Sequence, residues 1–221
     1  MKTELAFILD RSISMESIRT AAINGFNQFL RDQQNSPGQT KLTLVYFDSI
    51  VEVRHLSLPV AEILPLDLES YVPQGSTSLL DAIGRTIDKT GQRLSKLPEA
   101  DRPDHVSIAI LTDGEENSST KYTWADIAKR IKHQTEKYQW EFLFLGANAD
   151  AIATAGRMNI QMSNAAAYVA DDAGYEAAMT GMTRKSLASR AYKHGNATAE
   201  QLHDAAAPMN DIVREEDQRR R

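Results

Sequence analysis

The 221-residue sequence contains no cysteine. That absence excludes disulfides, thiolate-bound metals and cysteine nucleophiles. Positive charge is also in short supply: 25 Lys and Arg stand against 30 Asp and Glu, a formal net charge of -5. Without a basic face there is nothing to neutralise a phosphate backbone, so no nucleic acid is expected as a partner. The one arginine cluster, Arg219-Arg220-Arg221, reads as the end of a solvated tail. Long apolar runs are missing as well. After Met1-Lys2-Thr3-Glu4 the chain enters an apolar stretch of about five residues, shorter than the hydrophobic region of a signal peptide, and no later run reaches membrane-spanning length. The expectation is a cytoplasmic protein with no membrane partner, in which the glycosylation sequons at Asn117 and Asn196 are chance matches.

What is present is ordinary in bulk: 42% apolar and 25% charged residues, in a chain long enough for one sizeable core. Strand-like and helix-like stretches alternate along it. Residues 4–9 form an apolar run suited to a buried strand, and Ile18, Ala22, Phe26, Phe29 and Leu30 then recur at helical spacing between Met15 and Gln33. Asn35-Ser36-Pro37-Gly38 breaks the chain in a turn. Strands over 41–47 and 50–56 are joined by Asp48-Ser49, a connection so short that it forces an antiparallel hairpin. Pro59, Pro65 and Pro73 predict an irregular segment over 57–73, and a helix with apolar positions from Leu79 to Leu94 follows. Next come a strand over 105–111, a helix opened by a capping box at Thr123 and running to about Tyr138, and a strand over 140–145. A short helix over about 149–157, an edge strand over 165–169 and a helix from Asp172 to about Lys193, ended by Gly195, complete the pattern. This order predicts an α/β fold: a doubly wound, mostly parallel central sheet with one antiparallel edge strand and helices on both faces. Residues 1–195 read as one domain and 196–221 as a polar C-terminal extension, helical or frayed.

In such sheets ligands bind beyond the carboxyl ends of the central strands, where the strand order reverses. Asp10 and Asp113 each end a strongly apolar strand, which predicts that these two strands are adjacent and central. The first strand is followed by Arg11-Ser12-Ile13-Ser14. Alternate residues of extended or turn backbone point the same way, so Asp10, Ser12 and Ser14 converge at one strand tip. Their carboxylate and hydroxyls are hard oxygen ligands, suited to Mg²⁺, Mn²⁺ or Ca²⁺ and offering nothing soft to zinc or copper. Taken alone, the same residues serve equally well to end a strand and cap a helix. Two later segments change that balance by pointing at the same crevice: Gly75-Ser76-Thr77 before a helix, and Thr112-Asp113-Gly114 after a central strand.

This combination resembles the von Willebrand factor A domain and its metal-ion-dependent adhesion site. Asp10, Ser12 and Ser14 fill the Asp-x-Ser-x-Ser positions, Thr77 the separate threonine and Asp113 the second aspartate. The order of elements, early hairpin included, follows the family's over residues 1–170. The resemblance implies a metal-dependent protein-binding module without catalytic chemistry. It further implies that the serines, and in some states the threonine, bind Mg²⁺ (or Mn²⁺ or Ca²⁺) directly, that the aspartates act largely through water, and that a Glu or Asp of a partner protein completes the coordination.

A rival reading is a Mg²⁺-dependent phosphatase or phosphotransferase of the haloacid-dehalogenase type, which also sets an aspartate at the end of a first strand. That chemistry needs an acid two residues after the nucleophile to protonate the leaving group, and here the position is Ser12. No later Gly-Asp-x-x-x-Asp cluster, Gly-x-x-x-x-Gly-Lys loop or Gly-x-Gly-x-x-Gly fingerprint supports it. Of the remaining polar residues, Glu115 and Glu116 read as a solvated rim, Asp81 as a helix-surface charge and His105 as structural, while Trp124, Trp140 and the later methionines read as packing.

Overall fold

A computed structural model describes residues 1–147 and 150–220. β1 (Lys2–Asp10) lies at the centre of the sheet, with β2 (Gln39–Phe47) parallel on one side and β4 (His105–Thr112) parallel on the other. Beyond β2 the hairpin partner β3 (Val51–Pro59) runs antiparallel and forms one edge. Beyond β4 come β5 (Glu141–Gly146) and the short edge strand β6 (Ala165–Ala167), both parallel. Among the described residues the order is β3-β2-β1-β4-β5-β6, the mostly parallel, doubly wound arrangement that the pattern predicts.

The apolar run of β1 serves two cores at once, because successive side chains of a strand face opposite ways. Leu5, Phe7 and Leu9 pack against α1 (Arg19–Asn35), α5 (Asp172–Lys193) and α7 (Met209–Arg220). There Phe7 meets Phe26 and Phe29 edge-on, with ring centroids 5.3 and 4.9 Å apart. Ala6 and Ile8 pack on the other face against α2 (Leu79–Ser95), α3 (Trp124–Tyr138) and α4 (Ala151–Arg157). Caps fall where the sequence puts them: Thr123 and Asp126 form a capping box on α3, and the Asp171 carboxylate accepts the Gly174 N–H at the start of α5.

Several boundaries differ from the expectation. Instead of entering an α-helix at Met15, the chain makes a 3-10 turn over Ile13–Ile18, which buries Met15 and Ile18 while leaving Ser14 at the surface. β3 continues to Pro59 through a left-handed Ser57 (φ 51°), whose N–H donates to Thr43 Oγ1. β6 stops at Ala167 because Tyr168 turns inward, its hydroxyl donating to the Thr112 carbonyl at 3.2 Å. Of the short helix expected over 149–157, Ala149 lies outside the described residues and α4 begins at Ala151.

The stretch after 195 is helical. α6 (Ala199–Ala206) and α7 pack on α5, and Met209, Ile212 and Val213 are buried. Arg184 of α5 ties both helices down through Asp204 (2.8 Å) and Glu216 (2.7 Å), while Lys185 donates to the carbonyls of Ala205 and Ala207, both at 2.7 Å. The hydrophobic core thus runs across the expected boundary at 195. Arg219 and Arg220, read as part of a solvated tail, pair with Glu215, Glu216 and Glu176; Arg221 lies outside the described residues.

Candidate metal centre

The strand order reverses between β1 and β4, and the five residues singled out in the sequence meet beyond the carboxyl ends of these strands. Asp10 is wholly buried; its Oδ1 accepts the Ser12 backbone N–H at 2.7 Å and its Oδ2 accepts the Thr112 hydroxyl at 2.6 Å. Ser12 Oγ and Ser14 Oγ lie 3.0 Å apart, and Ser14 Oγ donates to Asp113 Oδ1 at 2.7 Å. Thr77 comes in from a different loop. A Cβ placed on Gly114 would stand 3.2 Å from Thr77 Oγ1 and 3.7 Å from Ser14 Oγ, so a side chain at 114 would crowd both hydroxyls.

The loops that deliver these groups are tied to one another. Ile13 N–H donates to the Gly75 carbonyl at 3.2 Å and Gln74 N–H to the Arg11 carbonyl at 2.8 Å, joining the threonine loop to the serine loop. Gly75 makes the turn at φ +65°, in a place where an added Cβ would stand 2.7 Å from Ser49 Oγ. Asn117 Oδ1 accepts the Thr77 N–H at 2.9 Å, and the Thr77 carbonyl accepts N–H groups of Asn117 and Ser118 at 3.1 and 3.2 Å. From below, Tyr71 Oη donates to the Asp10 carbonyl. Arg11, the cation nearest in sequence, turns away: its guanidinium forks onto Asp48 Oδ2 at 2.7 and 3.0 Å and reaches Glu52 at 3.0 Å.

Burial pushes the Asp10 carboxyl up to about 7; hydrogen bonds from Thr112 and Ser12 pull it down, and neighbouring Asp113 pushes it further up. Asp113 is raised as well, again chiefly by burial, against the hydrogen bond from Ser14. Two poorly hydrated carboxylates favour a cation between them. The surrounding donors are hydroxyl oxygens, with no nitrogen or sulfur among the five residues, so the set fits a hard divalent ion such as Mg²⁺ or Mn²⁺. Among the described residues no three His, Cys, Asp or Glu side chains gather in a metal-holding group. Hydroxyls take the place of further carboxylates here.

Two polar residues differ from the expectation. Asp81 is not a helix-surface charge: it is 9% exposed, and its carboxylate accepts the N–H groups of Thr120, Lys121 and Tyr122 at 3.1, 2.9 and 3.0 Å. Glu116 is not a solvated rim, since it accepts the N–H groups of Leu80, Ser118 and Ser119 at 2.8, 2.9 and 2.7 Å; Glu115 is exposed as expected. Together they stitch the loop after β4 to the first turn of α2. For Asp81 the available signal was its place in the first turn of α2, where an acid is favoured. Thr112 was missed as a partner of Asp10, although it stands beside Asp113 in the motif.

No family model and no curated protein matches the sequence. Solved structures do match the fold. Proximal thread matrix protein 1 from the mussel byssus superposes with a TM-score of 0.58 at 14% identity, over 84% of this chain and 46% of that one. A second structure of that protein, described as having its metal-ion-dependent adhesion site occupied by zinc, gives 0.57 at 13% identity over the same shares, 84% and 46%. A von Willebrand factor type A structure from Catenulispora acidiphila gives 0.52 at 19% identity, over 85% of this chain and 43% of that one. The chain spans less than half the length of each of these proteins. With its parallel sheet, antiparallel edge strand and flanking helices, the chain has the fold of the von Willebrand factor type A domain.

Proposed function

We propose that this chain is a metal-dependent protein-binding module, without catalytic chemistry, which captures an acidic side chain of a partner through one divalent cation. The observation that carries the reading is the convergence of five residues in one crevice: Asp10, Ser12, Ser14 and Asp113 are linked by contacts of 2.7–3.0 Å, and the Thr77 hydroxyl stands beside them across Gly114. Those five residues would hold the ion, Mg²⁺ or Mn²⁺ ahead of Ca²⁺. When bound, the ion supplies an electron-poor coordination position that a Glu or Asp carboxylate can fill. Asp10 and Asp113 bring about two negative charges against the ion's two, and the neutral hydroxyls of Ser12, Ser14 and Thr77 add none. The zinc reported at the corresponding motif of the mussel protein supports a divalent ion as the ligand class and leaves the choice of metal open.

The surroundings favour a protein partner over a small acid. Ile13, between the two serines, is 62% exposed, and Ile50, beside the Ser49 that accepts the Ser76 N–H, is 61% exposed. Apolar side chains held out on neighbouring loops give a docking protein contacts that exclude water around its carboxylate. A haloacid-dehalogenase type of reaction finds no proton donor at Ser12, whose hydroxyl lies against Ser14.

The test is a pull-down with and without EDTA, followed by substitutions on both sides of the recovered complex. Capture should need the metal, fall with Thr77→Ala or Asp113→Ala, and fail when the partner's critical carboxylate is changed to its amide. Capture that survives EDTA and all of these substitutions would put the interface elsewhere on the domain.

A further inference from the structure

At the opposite pole, beside the start of β4 and the last turns of α2, α3 and α5, lies a cavity of about 540 Å³. That volume is within the roughly 300–1,000 Å³ of small-molecule sites. Its lining reverses the sign of the molecule: Arg102, Lys137 and Lys193 stand around it, and Asp104 is the only acid among the described residues there, in a chain of net charge -5. Asp104 is already engaged, its Oδ2 accepting the Lys2 backbone N–H at 2.7 Å. Lys137 and Lys193 stand in the last turns of α3 and α5, where a cation offsets the helix dipole. That role accounts for two charges and not for the hollow between them.

The walls add chemistry of their own. Tyr138, 53% exposed, provides flat apolar surface, and Trp140 and His105 line the same space from within the core. His105 is 2% exposed and already engaged, its Nε2 standing 3.5 Å from Glu141 Oε2. We infer that this cavity is a second ligand site, separate from the metal crevice, which takes a small organic anion carrying a flat ring, of about mononucleotide size. Its cations would hold the charge while Tyr138 covers the ring, with Trp140 at the back of the cavity close enough to report on it.

The chain has two tryptophans, so Trp124→Phe leaves Trp140 as the single emitter. AMP is the probe, titrated to millimolar concentration in EDTA, with the fluorescence of this variant and the melting midpoint of the unaltered chain read in parallel. The expected result is a saturable fluorescence change and a raised midpoint. Affinity should drop at least about tenfold for inorganic phosphate or adenosine alone, and by a similar factor in the Lys137→Ala, Lys193→Ala double variant. Asp113→Ala should leave AMP binding unchanged. The inference is overturned by the absence of a saturable response in both readings, by equal binding of phosphate alone, by a response that survives the double lysine substitution, or by one lost in Asp113→Ala.

Discussion

Asp10 closes the apolar run Leu5–Leu9, so its carboxylate reaches the crevice already stripped of water. The native state therefore holds its proton more tightly than the unfolded chain does, with a folded value raised to about 7 from the ordinary 3.8. For an acid displaced upward, the sign is that stability of the metal-free protein falls as pH rises from 4 towards 7 and levels off above. A cation competes with that proton, so its apparent affinity should weaken by up to about tenfold per pH unit below 7. Melts with and without Mg²⁺ should show the largest metal-induced shift above pH 7 and almost none near pH 5; a shift independent of pH would separate Asp10 from the ion. Asp81 carries a different prediction. Removing a carboxylate that accepts three loop N–H groups leaves those donors unpaired, so Asp81→Ala should cost about 2–4 kcal/mol in urea denaturation. At this scale the sequence revealed the residues that end strands and fill a motif. It did not reveal Asp81 or Glu116, because the path of the loop after β4, which brings it against α2, depends on tertiary packing, nor Thr112, whose partner Asp10 ends the neighbouring strand.

Elements were legible wherever periodicity was strong. β1, β4 and β5 announce themselves by apolar runs and α2 by its one-sided pattern, whereas α7 has three buried apolar residues, Met209, Ile212 and Val213, in an otherwise charged sequence. No local pattern says that such a helix docks; the information resides in α5, whose Gly181 leaves room for it. A Cβ at 181 would lie 2.7 Å from Val213 Cγ2 and 3.1 Å from Val213 Cα, so the two helices would have to part. Ala in a helix gains roughly 0.5–1 kcal/mol over Gly, while overpacking of this kind costs about 1–3 kcal/mol. Gly181→Ala should therefore destabilise the protein by about 1–2 kcal/mol despite its better helix propensity. A stabilised variant in the same denaturation assay would mean that α7 is not seated on α5 as described. All five candidate ligands lie at or before Asp113, so the substitution should leave the metal response intact.

Across the whole molecule, the doubly wound topology separates two poles. Carboxyl ends of the strands gather acids and hydroxyls into the candidate metal centre, while the far end gathers Arg102, Lys137 and Lys193 around a cavity that no sequence motif marks. The first pole was readable because its residues sit at fixed offsets from strand ends. The second was not, since it is assembled from the ends of three helices with no common spacing. The proposed function requires one hard divalent ion held at the first pole by Asp10, Ser12, Ser14, Thr77 and Asp113. Calorimetric titration of the metal-free chain with Mn²⁺ tests it most directly. One ion per chain is expected, displaced by Mg²⁺, with binding abolished in Asp10→Ala and weakened at least about tenfold in Asp113→Ala. No measurable binding, or binding that both substitutions leave unchanged, would contradict it.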